Sequence, residues 1–178
     1  QQRKGMKTEN HRVLIIDDER PVLMTVEALL KRHGYNVDAA ATASQGLKLL
    51  KSNSPSLVLL DLQLPDGHGL EMLDRIKTEL PKAHVIILTA HDSLHNAIES
   101  IKRGAYHFIS KPYAPEELLS LVEKALEKQF LLEEAEKLRE KTERLEKRLE
   151  IAEARPAPIF KSKPMQEIGE LIEAMAPS

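Results

Sequence analysis

At 178 residues, 42% of them hydrophobic but only 3% aromatic and none tryptophan, the chain suffices for one complete domain and part of a second around an aliphatic core. A net charge of −2, from 26 basic and 28 acidic residues, excludes a dominating basic surface for nucleic acid, and the absence of cysteine excludes disulfides and thiolate metal sites and suits a reducing compartment. No apolar run approaches the roughly 18 residues of a membrane span, and no signal peptide is visible.

From residue 11 to about 128, short apolar runs alternate with helical periodicity. The first run, 12–16, precedes a helix marked by Val22, Leu23, Val26, Leu29 and Leu30. Pro21 suits its first turn and His33-Gly34 its end. The second run, 36–40, is the weakest and leads to a helix over about 43–52, broken by Ser54-Pro55-Ser56. The third, 57–60, leads to a helix over about 69–79 with Pro81 behind it, and the fourth, 84–88, to one over about 93–102 stopped by Gly104. The fifth run, 106–109, precedes a helix that begins near Pro115. Five strands alternating with helices predict a parallel sheet covered on both faces, with strand order 2-1-3-4-5 and a switch point between the first and third strands.

The fifth helix has no convincing turn signal before residue 154, too long for an ordinary globular helix. Leu118, Leu119, Val122, Ala125 and Leu126 should pack on the sheet. Beyond Phe130 the pattern changes: Leu131, Ala135, Leu138, Thr142, Leu145, Leu149 and Ala152 alternate at spacings of four and three, the seam of a coiled coil. In a parallel homodimer the flanking pairs Glu134 with Arg139, Lys141 with Glu146 and Arg148 with Glu153 all bring opposite charges together. A solvated single helix is the competing reading of this stripe. Arg155-Pro156-Ala157-Pro158 ends the helix, and a short amphipathic helix is predicted from Ser162 to Met175.

In a parallel sheet the strand ends lie along one edge, where ligands bind. Asp17 and Asp18 close the first run, Asp61 the third and Thr89 the fourth, and Lys111 follows the fifth. Alone, Asp17 and Asp18 would read as an acidic helix start, Thr89 as a cap and Lys111 as a solvated lysine. Together they suit a divalent metal and a phosphoryl group. Clustered carboxylates need hydrogen bonds, protonation or a cation to stay ionised, and a hard oxygen-seeking ion such as Mg2+ meets that need. Asp61, on the central strand, is the candidate nucleophile for an aspartyl phosphate, with Lys111 and Thr89 on the phosphate oxygens.

Ile15-Ile16-Asp17-Asp18-Glu19, Asp61 with Pro65 and Gly69 behind it, Leu88-Thr89-Ala90 and Lys111-Pro112 together resemble the receiver domain of two-component response regulators, over about residues 11–128. The resemblance implies a flavodoxin-like (CheY-like) fold and phosphotransfer from a histidine kinase to Asp61. It implies Mg2+ held directly by Asp18 and Asp61, largely through water by Asp17, and by the backbone carbonyl of Gln63. It puts an aromatic switch residue at Phe108 and often makes the Lys111–Pro112 bond cis. Leu64 stands where the family usually has Met. The stretch 97–111 resembles the NtrC-like branch, although His107 stands where that branch often has Asp. Residues 159–175 resemble the opening of the AAA+ ATPase domain of sigma-54-dependent activators. No GxxxxGK[ST] loop is present, so ATP hydrolysis is not expected of these residues.

The expected organisation is therefore a receiver domain over 11–128, a coiled-coil dimerisation linker over 129–154, and a linker with the first helix of a truncated ATPase domain over 155–178. The resemblance implies a bacterial, cytoplasmic protein that reaches sigma-54 RNA polymerase and DNA only through domains beyond these residues. Two other readings compete with the phosphorylation switch. An Asp-nucleophile phosphohydrolase would want a second Asp two residues after Asp61, where Gln63 stands. A dimerisation module independent of phosphorylation would not need the acidic site.

Overall fold

The structure is a computed structural model, described here over residues 11–90 and 94–153; the helix expected within 155–178 lies outside the described residues. The order is β1 (Arg12–Ile16), α1 (Arg20–Arg32), β2 (Asn36–Ala40), α2 (Ala43–Asn53), β3 (Leu57–Asp61), β4 (Gln63–Leu64), β5 (Gly67–His68), α3 (Gly69–Glu79), β6 (His84–Ala90), α4 (Leu94–Lys102), β7 (His107–Lys111) and α5 (Pro115–Glu153). Five strands form one parallel sheet in the order β2-β1-β3-β6-β7, which is the flavodoxin-like arrangement expected. The two-residue strands β4 and β5 pair separately as an antiparallel hairpin.

Alternation along the central strands divides the core into two layers, because successive side chains leave opposite faces of a strand. Val13, Ile15, Leu57, Leu59, Ile86 and Leu88 pack with Leu23, Val26 and Leu30 of α1 and with Leu118, Val122, Ala125 and Leu126 of α5. Leu14, Ile16, Val58, Leu60, Val85 and Ile87 pack with Leu50 of α2 and Met72, Leu73 and Ile76 of α3. Strands buried on both faces read as unbroken apolar runs, which is why 57–60 and 84–88 stand out in the sequence. The weak run 36–40 is the edge strand β2. Its Asp38 is held by Arg12 Nη1 at 3.1 Å and Asn53 Nδ2 at 2.8 Å.

Helix boundaries follow local chemistry. Pro21 lies in the first turn of α1, and Gly34 takes φ +86° just past its end, a conformation open to a residue without Cβ. Thr42 caps α2 by accepting from Gln45 N at 3.2 Å. A second cap comes from Asp66, in the β4–β5 turn, whose carboxylate accepts from Ala43 N, Ser44 N and the Ser44 hydroxyl at 2.7–3.0 Å. Gly69 opens α3 so close to β3 that an added Cβ would lie 2.3 Å from Leu62 Cα. The Lys111–Pro112 bond is cis.

Two compact units divide the chain between Ala135 and Glu136. In the first, the inner face of α5 ends on Gln129, which is buried and bonded to His84 Nδ1 and to Glu133 Oε1, both at 3.2 Å. In the second, residues 136–153 are helical; Leu138, Leu145 and Leu149 are 50–63% exposed, and Thr142 donates its hydroxyl to Leu138 O at 2.9 Å.

Candidate functional site

Parallel register sets the site. Ile16 stands opposite Leu60, Asp61 opposite Leu88, and Ala90 opposite Lys111. Asp17 N donates to Ala40 O at 3.1 Å, which fixes the backbone where β1 ends. Asp17 and Asp61 are therefore brought together below the protein surface, with relative exposures of 0% and 5%. Glu19 joins them: one carboxylate oxygen from each of Asp17, Glu19 and Asp61 lies within 4.8 Å of the others.

Lys111 reaches into this cluster from the end of β7. Its Nζ lies 2.5 Å from Asp61 Oδ2, 2.7 Å from Asp17 Oδ2 and 2.9 Å from Glu19 Oε1. Backbone donors complete the pocket: Glu19 N gives a 2.9 Å bond to Asp17 Oδ1 and Gln63 N a 2.8 Å bond to Asp61 Oδ1. Burial pulls the Lys111 ammonium toward deprotonation, but its contacts with the carboxylates of Asp17, Asp61 and Glu19 outweigh it and its pKa is raised. Asp17 is also raised, because its burial exceeds the lowering influence of Lys111 and the Glu19 N–H. Beside them Tyr113 is pushed up to about 12, mainly by burial.

One ammonium cannot balance three carboxylates. Asp17 Oδ2 touches the ammonium but accepts no hydrogen bond in good geometry, so a fully buried anionic oxygen lacks a donor. An all-oxygen donor set with excess negative charge and an unsatisfied buried oxygen fits a hard divalent cation such as Mg2+.

The other residues singled out in the sequence are differently placed. Thr89 is buried at the end of β6, and its hydroxyl donates to Ala90 O at 3.3 Å. Phe108 is partly buried against the layer containing Leu60 and Ile87. Gln63 sits in the β4–β5 hairpin, tied to Asp61 through its amide. Asp18 is exposed and lies outside the three-carboxylate cluster. Glu19, which sequence reasoning quoted but gave no role, is the residue it missed. No spacing signal marks it: the chain bends at Asp18, and Glu19 N bonds Asp17 Oδ1 across that bend while the Glu19 carboxylate meets Lys111.

A five-stranded doubly wound sheet with two carboxylates, a hydroxyl-bearing residue and a lysine at its strand ends defines a receiver-type domain. The chain belongs to the response regulator receiver domain family, whose model matches residues 13–123. It is 36% identical over 135 residues to the nitrogen assimilation regulatory protein NtrX of Azorhizobium caulinodans, covering 75% of this chain and 30% of that protein. It is 33% identical over 133 residues to the alginate biosynthesis transcriptional regulatory protein AlgB of Pseudomonas aeruginosa, with the same coverage. Among solved structures, NtrX from Brucella abortus superposes with a TM-score of 0.71 at 30% identity, covering 94% of this chain and 35% of that one. The receiver domain of the same Brucella protein gives 0.63 at 34% identity, covering 65% and 98%. The relatives bear out the resemblance to the NtrC-like branch. The chain spans 30% of the length of the two curated relatives named.

Because Asp17 titrates above its ordinary value of 3.8, the native state takes up that proton more readily than the unfolded chain. Stability from this group is full below pH 3.8 and declines as pH rises through the raised value. In metal-free buffer, Asp17→Asn should therefore be more stable than wild type at pH 7, with the difference shrinking as the pH is lowered toward 3.8, as read by urea unfolding. A difference that grows in acid would contradict this origin.

Proposed function

We propose that this chain is a phosphorylation-controlled receiver in which Asp61 accepts a phosphoryl group from a histidine kinase. The observation that carries the reading is the contact of Lys111 Nζ with Asp61 Oδ2, at the end of a central strand and beside a second buried carboxylate. In the step proposed, a carboxylate oxygen of Asp61 forms a bond to phosphorus as the donor's phosphorus–nitrogen bond breaks, its electron pair leaving with the imidazole. Asp17, Asp18, Asp61 and the Gln63 carbonyl would hold Mg2+, which when bound supplies positive charge to the phosphoryl oxygens. Lys111 neutralises a further oxygen, and the Thr89 hydroxyl turns from Ala90 O to bond another.

Movement of Thr89 opens room for Phe108 to follow, altering the face formed by α4, β7 and α5. We assign residues 11–128 to the receiver, 129–154 to a parallel homodimeric coiled-coil linker, and 155–178 to the linker and first helix of an AAA+ domain. The full protein would then be a cytoplasmic bacterial regulator acting on sigma-54 RNA polymerase at DNA through that domain. The unphosphorylated dimer is the off state in this reading. Support for the dimer comes from the exposed seam. Burying each seam leucine is worth about 1.5–3 kcal/mol, against about 0.2–1 kcal/mol for each flanking ion pair, so leucines set stability while charges choose partner and orientation. Gln63, two residues past Asp61, lacks the acid a phosphohydrolase would use, and the intact acidic cluster argues against a purely structural module.

Incubation with acetyl phosphate should label the chain only when Mg2+ is present, and Asp61→Asn should carry no label by mass spectrometry. Labelling that survives in the variant would place the acceptor elsewhere. For the linker, replacing Leu138 and Leu145 together by Glu should convert a dimer to a monomer in sedimentation, with acetyl phosphate labelling retained.

A further inference from the structure

The three carboxylates on Lys111 are not equivalent. Asp17 is fully buried and tied by Glu19 N, and Asp61 is nearly buried and tied by Gln63 N. The Glu19 side chain is 58% exposed, and although Glu19 is the N-cap residue of α1 its side chain makes no capping bond there. Its 2.9 Å hydrogen bond from Lys111 Nζ reaches across 92 residues of sequence. Releasing Asp17 or Asp61 from the ammonium would strand a charge below the surface, whereas releasing Glu19 returns a carboxylate to water.

We propose that Glu19 is a positioning residue that occupies, in the unphosphorylated chain, the place on Lys111 that a phosphoryl oxygen on Asp61 later takes. This rests on the reading of Asp61 as phosphoacceptor. The Lys111 ammonium bonds Glu19 and Asp61, and Asp17 Oδ2 stands against it at 2.7 Å, so a carboxylate oxygen occupies each of its three sides. An incoming phosphoryl oxygen must displace a partner, and the exposed one leaves most readily. The phosphoryl group, with a charge of roughly −1.5 to −2, also repels Glu19 from the same place. Until then Glu19 keeps the ammonium turned into the site. The arrangement biases the unphosphorylated site toward a lysine already placed but not free.

The test compares full-length wild type, Glu19→Ala and Glu19→Gln in two titrations: Mg2+ alone, and beryllofluoride at saturating Mg2+. Removing a competitor should tighten beryllofluoride binding about two- to fivefold in Glu19→Ala, the range of an exposed ion pair, with Glu19→Gln in between. Mg2+ affinity should fall by no more than about thirtyfold, the effect of one unit charge about 4 Å from a divalent ion in water. Unchanged or weaker beryllofluoride binding in Glu19→Ala would overturn the proposal. So would a loss of Mg2+ affinity beyond about a hundredfold, which exceeds what a residue outside the ligand set supplies and would make Glu19 a metal ligand. If wild type itself binds no beryllofluoride, the Asp61 reading fails and this one with it; if wild type binds and Glu19→Ala matches it, only the role of Glu19 fails.

Discussion

The structure depends on one electrostatic constraint: a parallel sheet that buries its strands on both faces must bring whatever ends those strands to a common edge. Here the edge gathers Asp17, Glu19 and Asp61 around the single ammonium of Lys111. Taking a charge out of water costs several kcal/mol, and a buried pair offsets this only when every lone pair and proton is matched. Matching is incomplete, as the raised Asp17 and its Oδ2 without a hydrogen-bond donor show. The site is a place of residual negative charge held in position by the fold.

The aliphatic core makes that tolerable. Val13, Ile15, Leu57, Leu59, Ile86 and Leu88 on one face, and Leu14, Ile16, Val58, Leu60, Val85 and Ile87 on the other, are fully buried. Truncating any leucine or isoleucine among them to Ala would remove about 2–5 kcal/mol, so the framework can carry a locally unfavourable cluster. The same framework fixes the approach of α3, where Gly69 lets the backbone pass beside Leu62, and of the β4–β5 hairpin, which Asp66 ties to the start of α2. Gln63, whose amide donates to Asp61, is carried on that hairpin.

Much of this was legible in the sequence, for reasons particular residues make clear. The apolar runs 12–16, 57–60 and 84–88 announce central strands because both faces are covered, and the strand order follows from alternation and crossover handedness. Asp17, Asp61 and Lys111 could be placed together because strand ends share an edge. The β4–β5 hairpin was not anticipated: two-residue strands have no periodicity, and only the turn residues Pro65-Asp66-Gly67 hint at it. Glu19 was missed because three consecutive acids do not say which side chains face inward; that is set by the bend at Asp18 between β1 and α1. Gln129 occupies a position where the stripe on α5 predicts an apolar residue, and its partner His84 lies 45 residues away. Such a pairing has no local signature.

The excess negative charge at the sheet edge fits a divalent cation. Unfolding free energy measured by urea at pH 7 on chelator-treated protein, as Mg2+ is added stepwise, tests it most directly. A cation bound there gives a flat response at low Mg2+ and then a rise of about 1.4 kcal/mol per tenfold increase once the dissociation constant is passed. A stability that stays flat through millimolar Mg2+ would contradict it.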